Sequence, residues 1–148
     1  MAAVRRADAT WNGDLLSGKG VVSATSSGVF SKLGISWARR SEADAAGSTS
    51  PEELLAAAHA SCFAMALSNG LAQAGTPAVQ LDVTTNVTFD KVGENWAVVS
   101  SAIEVRGRVP NADAAAFQAA AEGARDNCPI SRALKGNVEL SVKATLEG

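Results

Sequence analysis

One stretch constrains this chain more than any other: Ser50 to Gly70, SPEELLAAAHASCFAMALSNG. Ser50 takes the N-cap place, Pro51 the first helical position and Glu53 the third. The segment therefore opens with a capping box, and its proline stands where a missing N–H costs nothing. Glu52 and Glu53 set two carboxylates against the positive end of the helix dipole. Alanine and leucine follow without a breaker. The pattern predicts a helix that continues past Asn69-Gly70 through LAQAG and stops at Gly75, ahead of Pro77. A helix this apolar belongs in an interior, yet it carries the chain's one histidine, His59, and one of its two cysteines, Cys62.

Other elements are arranged around that helix. Val4–Trp11 reads as a strand, Asn12-Gly13-Asp14 as a hairpin turn, and Lys19–Ser27 as a second strand. Val29–Arg40 alternates imperfectly and is expected to be a third strand with a break at Gly34. Ser41–Ser50 reads as a loop. Beyond the helix, Val79–Val92 and Asn95–Val109 alternate well and are joined by a tight turn, which predicts an antiparallel pair. Asn111–Cys128 reads as an alanine-rich helix capped by Asn111, and Pro129–Gly136 as a short helix with proline at its first position. Asn137–Gly148 alternates again as a last strand. The order is α+β with a mostly antiparallel sheet around a long central helix, and no repeat or linker divides residues 1–148, so one domain is expected.

Composition narrows the function. A net charge of −2 argues against nucleic acid and membrane surfaces as partners. No segment is expected to be long and apolar enough to cross a bilayer. The two arginines near the start precede no apolar run, so no secretory signal is read and a cytoplasmic location is the expectation. The cysteines lie 66 positions apart, which leaves no CxxC redox loop. With one histidine a metal site would need an unusual ligand set, so no metal and no cofactor are expected.

Each candidate residue has a bland reading beside a chemical one. Cys62 is either a small hydrophobe in a buried helix or a reactive thiol. Cys128 precedes Pro129, where it caps a new helix. It is either a buried junction cysteine or a thiol whose pKa falls beside free N–H groups. His59 shares a helix face with Cys62, and the favoured reading has it packing nearby or at an interface rather than serving as a base. Taken singly, Glu52 is a helix-dipole carboxylate and Arg40 a strand-end cation.

Thr49–Leu67, TSPEELLAAAHASCFAMAL, followed far downstream by CPIS at Cys128–Ser131, resembles the OsmC/Ohr family of thiol peroxidases. AAAHA before the first cysteine and ATWNGDLLSGKG at Ala9–Gly20 make the likeness closer to the OsmC branch. The resemblance runs over nearly the whole chain. It implies an intertwined homodimer, with Cys62 as peroxidatic cysteine, Cys128 as resolving cysteine and Glu52 as catalytic carboxylate. It also implies an arginine at the end of the strand before the helix. WARR puts Arg40 in that register and Arg39 one step off, and a one-residue slip on a strand exchanges faces, so only one of them fits. The implied substrate is an organic hydroperoxide and the implied reductant a dithiol of the lipoyl type. Glu52 and Cys62 are ten residues apart, roughly 15 Å along a helix. A site holding both therefore draws Glu52 from the partner subunit. The competing class is a non-enzymatic dimeric binding or stress protein with two incidental cysteines.

Overall fold

Two runs of alternating residues and one interrupted run give the chain its sheets. The computed structural model describes all 148 residues, Met1–Gly148. They divide into two compact units, Met1–Leu54 and Leu55–Gly148.

In the first unit, β1 (Ala7–Asn12) and β2 (Lys19–Ala24) pair antiparallel from Ala7↔Ala24 to Asn12↔Lys19, and β3 (Leu33–Ile35) joins the other side of β2. The expected turn at Asn12–Asp14 is longer than two residues. The Asp14 carboxylate accepts from the Ser17 amide at 2.8 Å and the Ser17 hydroxyl at 2.7 Å, which holds a six-residue connection in a compact loop. The expected strand Val29–Arg40 is corrected as well. Only Leu33–Ile35 forms a strand. Ser36 then accepts from the Arg39 amide as an N-cap, and α1 (Trp37–Ser41) follows. Every residue of β1 is solvent-exposed.

The helix α2 (Pro51–Gln73) starts where the sequence places it: the Glu53 amide donates to Ser50 Oγ at 3.1 Å. The Glu53 carboxylate accepts from the Thr49 hydroxyl instead of reaching back to the Ser50 amide, so the capping box is half formed. The helix ends as expected. Thr76 donates to the Leu71 carbonyl across Gly75, whose φ of +83° is a conformation glycine adopts without penalty. By length and composition this helix could span a membrane, which corrects the expectation that no segment could. In the second unit its stripe Phe63, Leu67, Leu71 is instead buried in the protein core.

In that unit β4 (Gln80–Val92) and β5 (Asn95–Arg108) form a long antiparallel hairpin, and β6 (Glu139–Leu146) pairs with β5 in parallel. A parallel neighbour needs a crossover. Here α3 (Ala114–Asn127) and α4 (Pro129–Leu134) lie in it. The expected cap at Asn111 is corrected: Asn111 sits at φ +69°, a left-handed conformation asparagine tolerates, and Asp113 is the cap, accepting from the Ala116 amide at 2.8 Å. Ile103 and Val105 of β5, Phe117, Ala121 and Ala124 of α3, and Cys128 complete the core with the α2 stripe.

Gly107 on β5 packs directly against that core. A Cβ there would stand 2.5 Å from Phe117 Cζ and 3.0 Å from Leu81 Cδ2, both carbons that packing holds in place. Gly107→Ala should destabilise the protein by about 1–3 kcal/mol through overpacking. Urea unfolding of the variant would check this, and an unchanged midpoint would show that α3 moves aside freely.

Candidate active site

Charge and sulfur are separated along the chain, and each group is built by one unit. In the first, α1 carries two successive arginines, which a helix points about 100° apart rather than to opposite faces. Arg39 turns outward, Nη1 standing 2.9 Å from Asp44 Oδ2. Arg40 turns to Glu52: Nε donates to Oε1 and Oε2 at 3.1 and 3.2 Å, and Nη2 donates to Oε1 at 2.9 Å. Glu52 is 7% exposed, so its buried carboxylate is held by a multidentate guanidinium. A cavity of about 300 Å³ with walls of Trp11, Leu15, Ile35, Trp37 and Pro51 opens beside Arg40. The structure thus brings Arg40 and Glu52 together and gives Arg39 a different partner.

In the second unit, the Cys128–Pro129 junction ends α3 and caps α4. Cys128 Sγ accepts from the Ser131 amide at 3.3 Å and lies 3.0 Å from Ser131 Oγ, almost wholly buried. Cys62, partly buried on α2, lies close enough to the Cys128 side chain and the Ile130 amide for both to act on its thiol. The structure therefore brings the two sequence-distant cysteines together as free thiols. Burial pushes the Cys62 thiol up, the Ile130 N–H lowers it, and Cys128 raises it further. No cluster of three or more histidine, cysteine or carboxylate side chains is arranged to hold a metal ion.

His59 does not address Cys62 with a ring nitrogen. It is fully buried, with Nδ1 2.6 Å from Ser101 Oγ on β5 and Nε2 2.7 Å from Ser131 Oγ on α4. The two serines are the polar residues that sequence reasoning misses. Ser131 stands in the quoted CPIS motif, three positions after Cys128, which is one helical turn from a cap. Ser101 gives no signal in a strand of small residues.

Three comparisons bear on this arrangement. Residues 43–143 match the family model described as OsmC-like protein. The chain is 39% identical to peroxiredoxin OsmC of Escherichia coli (strain K12) over 140 residues, 95% of this chain and 96% of that one. It is 30% identical to the organic hydroperoxide resistance protein of Xanthomonas axonopodis pv. citri over 95 residues, 64% of this chain and 65% of the relative. Among solved structures it is similar to the organic hydroperoxide resistance protein OhrB of Bacillus subtilis, with a TM-score of 0.70 and 26% identity, covering 96% of this chain and 98% of that one. The α+β fold with its two small sheets matches these structures.

Burial lowers the pKa of His59, so the folded chain keeps the imidazole neutral where the unfolded chain takes up a proton. The stability this contributes is present above about pH 6.5 and is lost as pH falls below it, at up to about 1.4 kcal/mol per pH unit. Urea unfolding at pH 7.5 and 5.5 should therefore show a larger loss for the wild type than for His59→Gln. With one histidine in the chain the difference is attributable. Equal losses would mean that His59 is protonated as readily folded as unfolded.

Proposed function

The chain belongs to the OsmC-like protein family, and on that premise we propose that it is a cysteine-based peroxidase that reduces organic hydroperoxides to alcohols. The observation that carries this reading is the meeting of two free thiols, Cys62 and Cys128, at the start of α4. In the proposed cycle Cys62 attacks the terminal peroxide oxygen as a thiolate. The O–O bond breaks, the alkoxide takes a proton and leaves as the alcohol, and Cys62 becomes a sulfenic acid. Cys128 then displaces its oxygen as water and forms a disulfide, which guards Cys62 against further oxidation. A dithiol reductant of the lipoyl type restores both thiols. The cycle calls for no metal and no flavin, and a reducing cytoplasm suits it.

Burial works against the Cys62 thiolate, so a cation must offset it. We assign that part to Arg40, whose guanidinium Glu52 orients. Because α2 runs unbroken from Pro51 to Gln73, Glu52 stays roughly 15 Å along the axis from Cys62 of its own chain. In this reading the protein is a two-fold homodimer and the Arg40–Glu52 pair of one chain serves the thiols of the other, residues 1–148 acting as one domain. The exposure of Leu16, Val29, Met65 and Val79, each more than half accessible, supports a further surface of contact. The apolar cavity beside Arg40 would take the alkyl part of the substrate.

With a dithiol reductant, Cys62→Ser should abolish peroxide consumption, whereas Cys128→Ser should react once per site and then stall or over-oxidise. Cumene hydroperoxide should be turned over at least about tenfold more efficiently than hydrogen peroxide, since each buried methylene is worth about 0.8 kcal/mol. Full turnover by Cys62→Ser, measured by peroxide loss, would remove the proposed nucleophile.

The shared site has its own test. Glu52→Ala and Cys62→Ser protomers, each inactive alone, should regain activity on subunit exchange, with one intact site per mixed dimer. Mixed dimers that form and stay inactive would place each site within one chain.

A further inference from the structure

The peroxidase reading leaves one buried titratable group, His59, without a role. The two thiols and their backbone contacts do not need an imidazole for packing, and an apolar side chain of similar volume would fill the same space without two polar nitrogens to satisfy. Yet the structure supplies partners for both. Ser101 Oγ lies 2.6 Å from Nδ1, Ser131 Oγ lies 2.7 Å from Nε2, and Ser131 Oγ in turn lies 3.0 Å from Cys128 Sγ. Ser101 and Ser131 are both fully buried, as is His59. The result is a continuous hydrogen-bonded chain, Ser101–His59–Ser131–Cys128, closed off from water and ending on a sulfur.

We propose that this chain is a proton relay in which His59, acting through Ser131, takes the proton from Cys128 so that it can resolve the oxidised Cys62. The inference rests on the peroxidase reading, in which Cys128 must act as a thiolate. A buried thiol has no water to which it can lose its proton, so an internal acceptor is required for fast ionisation.

The three contacts allow the polarity the relay uses. In the tautomer that carries a proton on Nδ1, Nδ1–H donates to Ser101 Oγ and leaves Nε2 as an acceptor. The Ser131 hydroxyl then donates to Nε2, and the Cys128 thiol to the Ser131 oxygen. Two protons then shift one place each: from sulfur to the Ser131 oxygen, and from that oxygen to Nε2. The Ser131 amide already donates to Cys128 Sγ and stays in place to hold the thiolate. Burial keeps the resting imidazole neutral and therefore able to accept. The polar groups that face it are the Ser101 hydroxyl of β5 and the Ser131 hydroxyl of α4. No carboxylate or cation is hydrogen-bonded or ion-paired to it. The imidazolium and thiolate that form are separated by a single hydroxyl, and their attraction offsets the cost of burying each charge.

The step balances without an outside oxidant. The Cys128 electron pair forms the S–S bond as the S–O bond of the Cys62 sulfenic acid breaks. Hydroxide leaves with the S–O pair and is protonated as the imidazolium returns the proton, giving one water. Cys128 is oxidised from thiol to disulfide, and Cys62 is reduced from sulfenic acid to disulfide.

The test mixes reduced protein with one equivalent of tert-butyl hydroperoxide. Sulfenic acid formation and disulfide closure are then timed separately by quenching, alkylation and mass measurement. In the wild type, closure should be independent of pH from about 6.5 to 8.5, because the proton never passes to solvent. Ser131→Ala should form the sulfenic acid within twofold of the wild-type rate but close about 100-fold more slowly at pH 7. Its closure should rise about tenfold per pH unit. Ser131→Thr, which keeps the hydroxyl, should restore fast and flat closure. A wild-type closure rate that itself climbs tenfold per pH unit overturns the relay whether or not the variants fold. Fast, flat closure in Ser131→Ala overturns it too. Wild-type thiols that form no disulfide at all would instead sink the peroxidase reading, and the relay with it.

Discussion

A buried imidazole has two ring nitrogens, and in a dry interior both must be partnered or the fold loses the full cost of stripping them of water. His59 meets this demand with hydroxyls from two other elements, Ser101 on β5 and Ser131 on α4. The requirement fixes the register of three elements at once. α2 cannot rotate without withdrawing Nδ1 from the sheet, and α4 cannot slide without withdrawing Ser131 from Nε2. Because Ser131 also touches Cys128, the same bonds settle where the buried sulfur stands. The apolar stripe Phe63, Leu67 and Leu71 supplies the bulk of the burial, but it would tolerate small rotations that the imidazole does not.

What could be read from the sequence follows from how local each signal is. The start of α2 at Ser50-Pro51, its stop at Gly75 and the capping of α4 by Cys128 are set by neighbours within one helical turn, and all three are present. The β4–β5 hairpin declares itself by alternation on both sides of a two-residue turn, interrupted only by the register shift at Thr88/Phe89. Val29–Arg40 misleads because Leu33, Ile35 and Trp37 are apolar at every second position and carry the strand's rhythm past its end, while the true signal is the single cap residue Ser36. Asn111 misleads for a related reason: asparagine suits both a cap and a left-handed turn, and Asp113 two positions later takes the cap.

The candidate site divides the same way. Glu52 is legible from its place beside Pro51, and the pairing of Arg40 rather than Arg39 with it depends on α1 being a helix, which the alternation conceals. The cysteines are legible as residues. Their proximity is not, since it depends on a crossover that returns the chain to β5 in parallel. Ser101 is silent because one hydroxyl in a run of small strand residues carries no pattern. Its importance arises only from what lies opposite.

That crossover has a further consequence for the oxidised protein. Cys128 sits between β5 and β6, in the part of the chain that β6 must follow before it can pair, and Cys62 sits on the helix before the hairpin. A bond between them ties a loop of more than sixty residues that contains the whole β4–β5 hairpin and α3. Cross-linking a loop of that length removes about 4 kcal/mol of conformational freedom from the unfolded chain. Each turn of the proposed cycle would thus alternately fasten and release most of the second unit. The chain would resist unfolding most while waiting for its reductant and be most easily opened when its thiols are ready for the next peroxide.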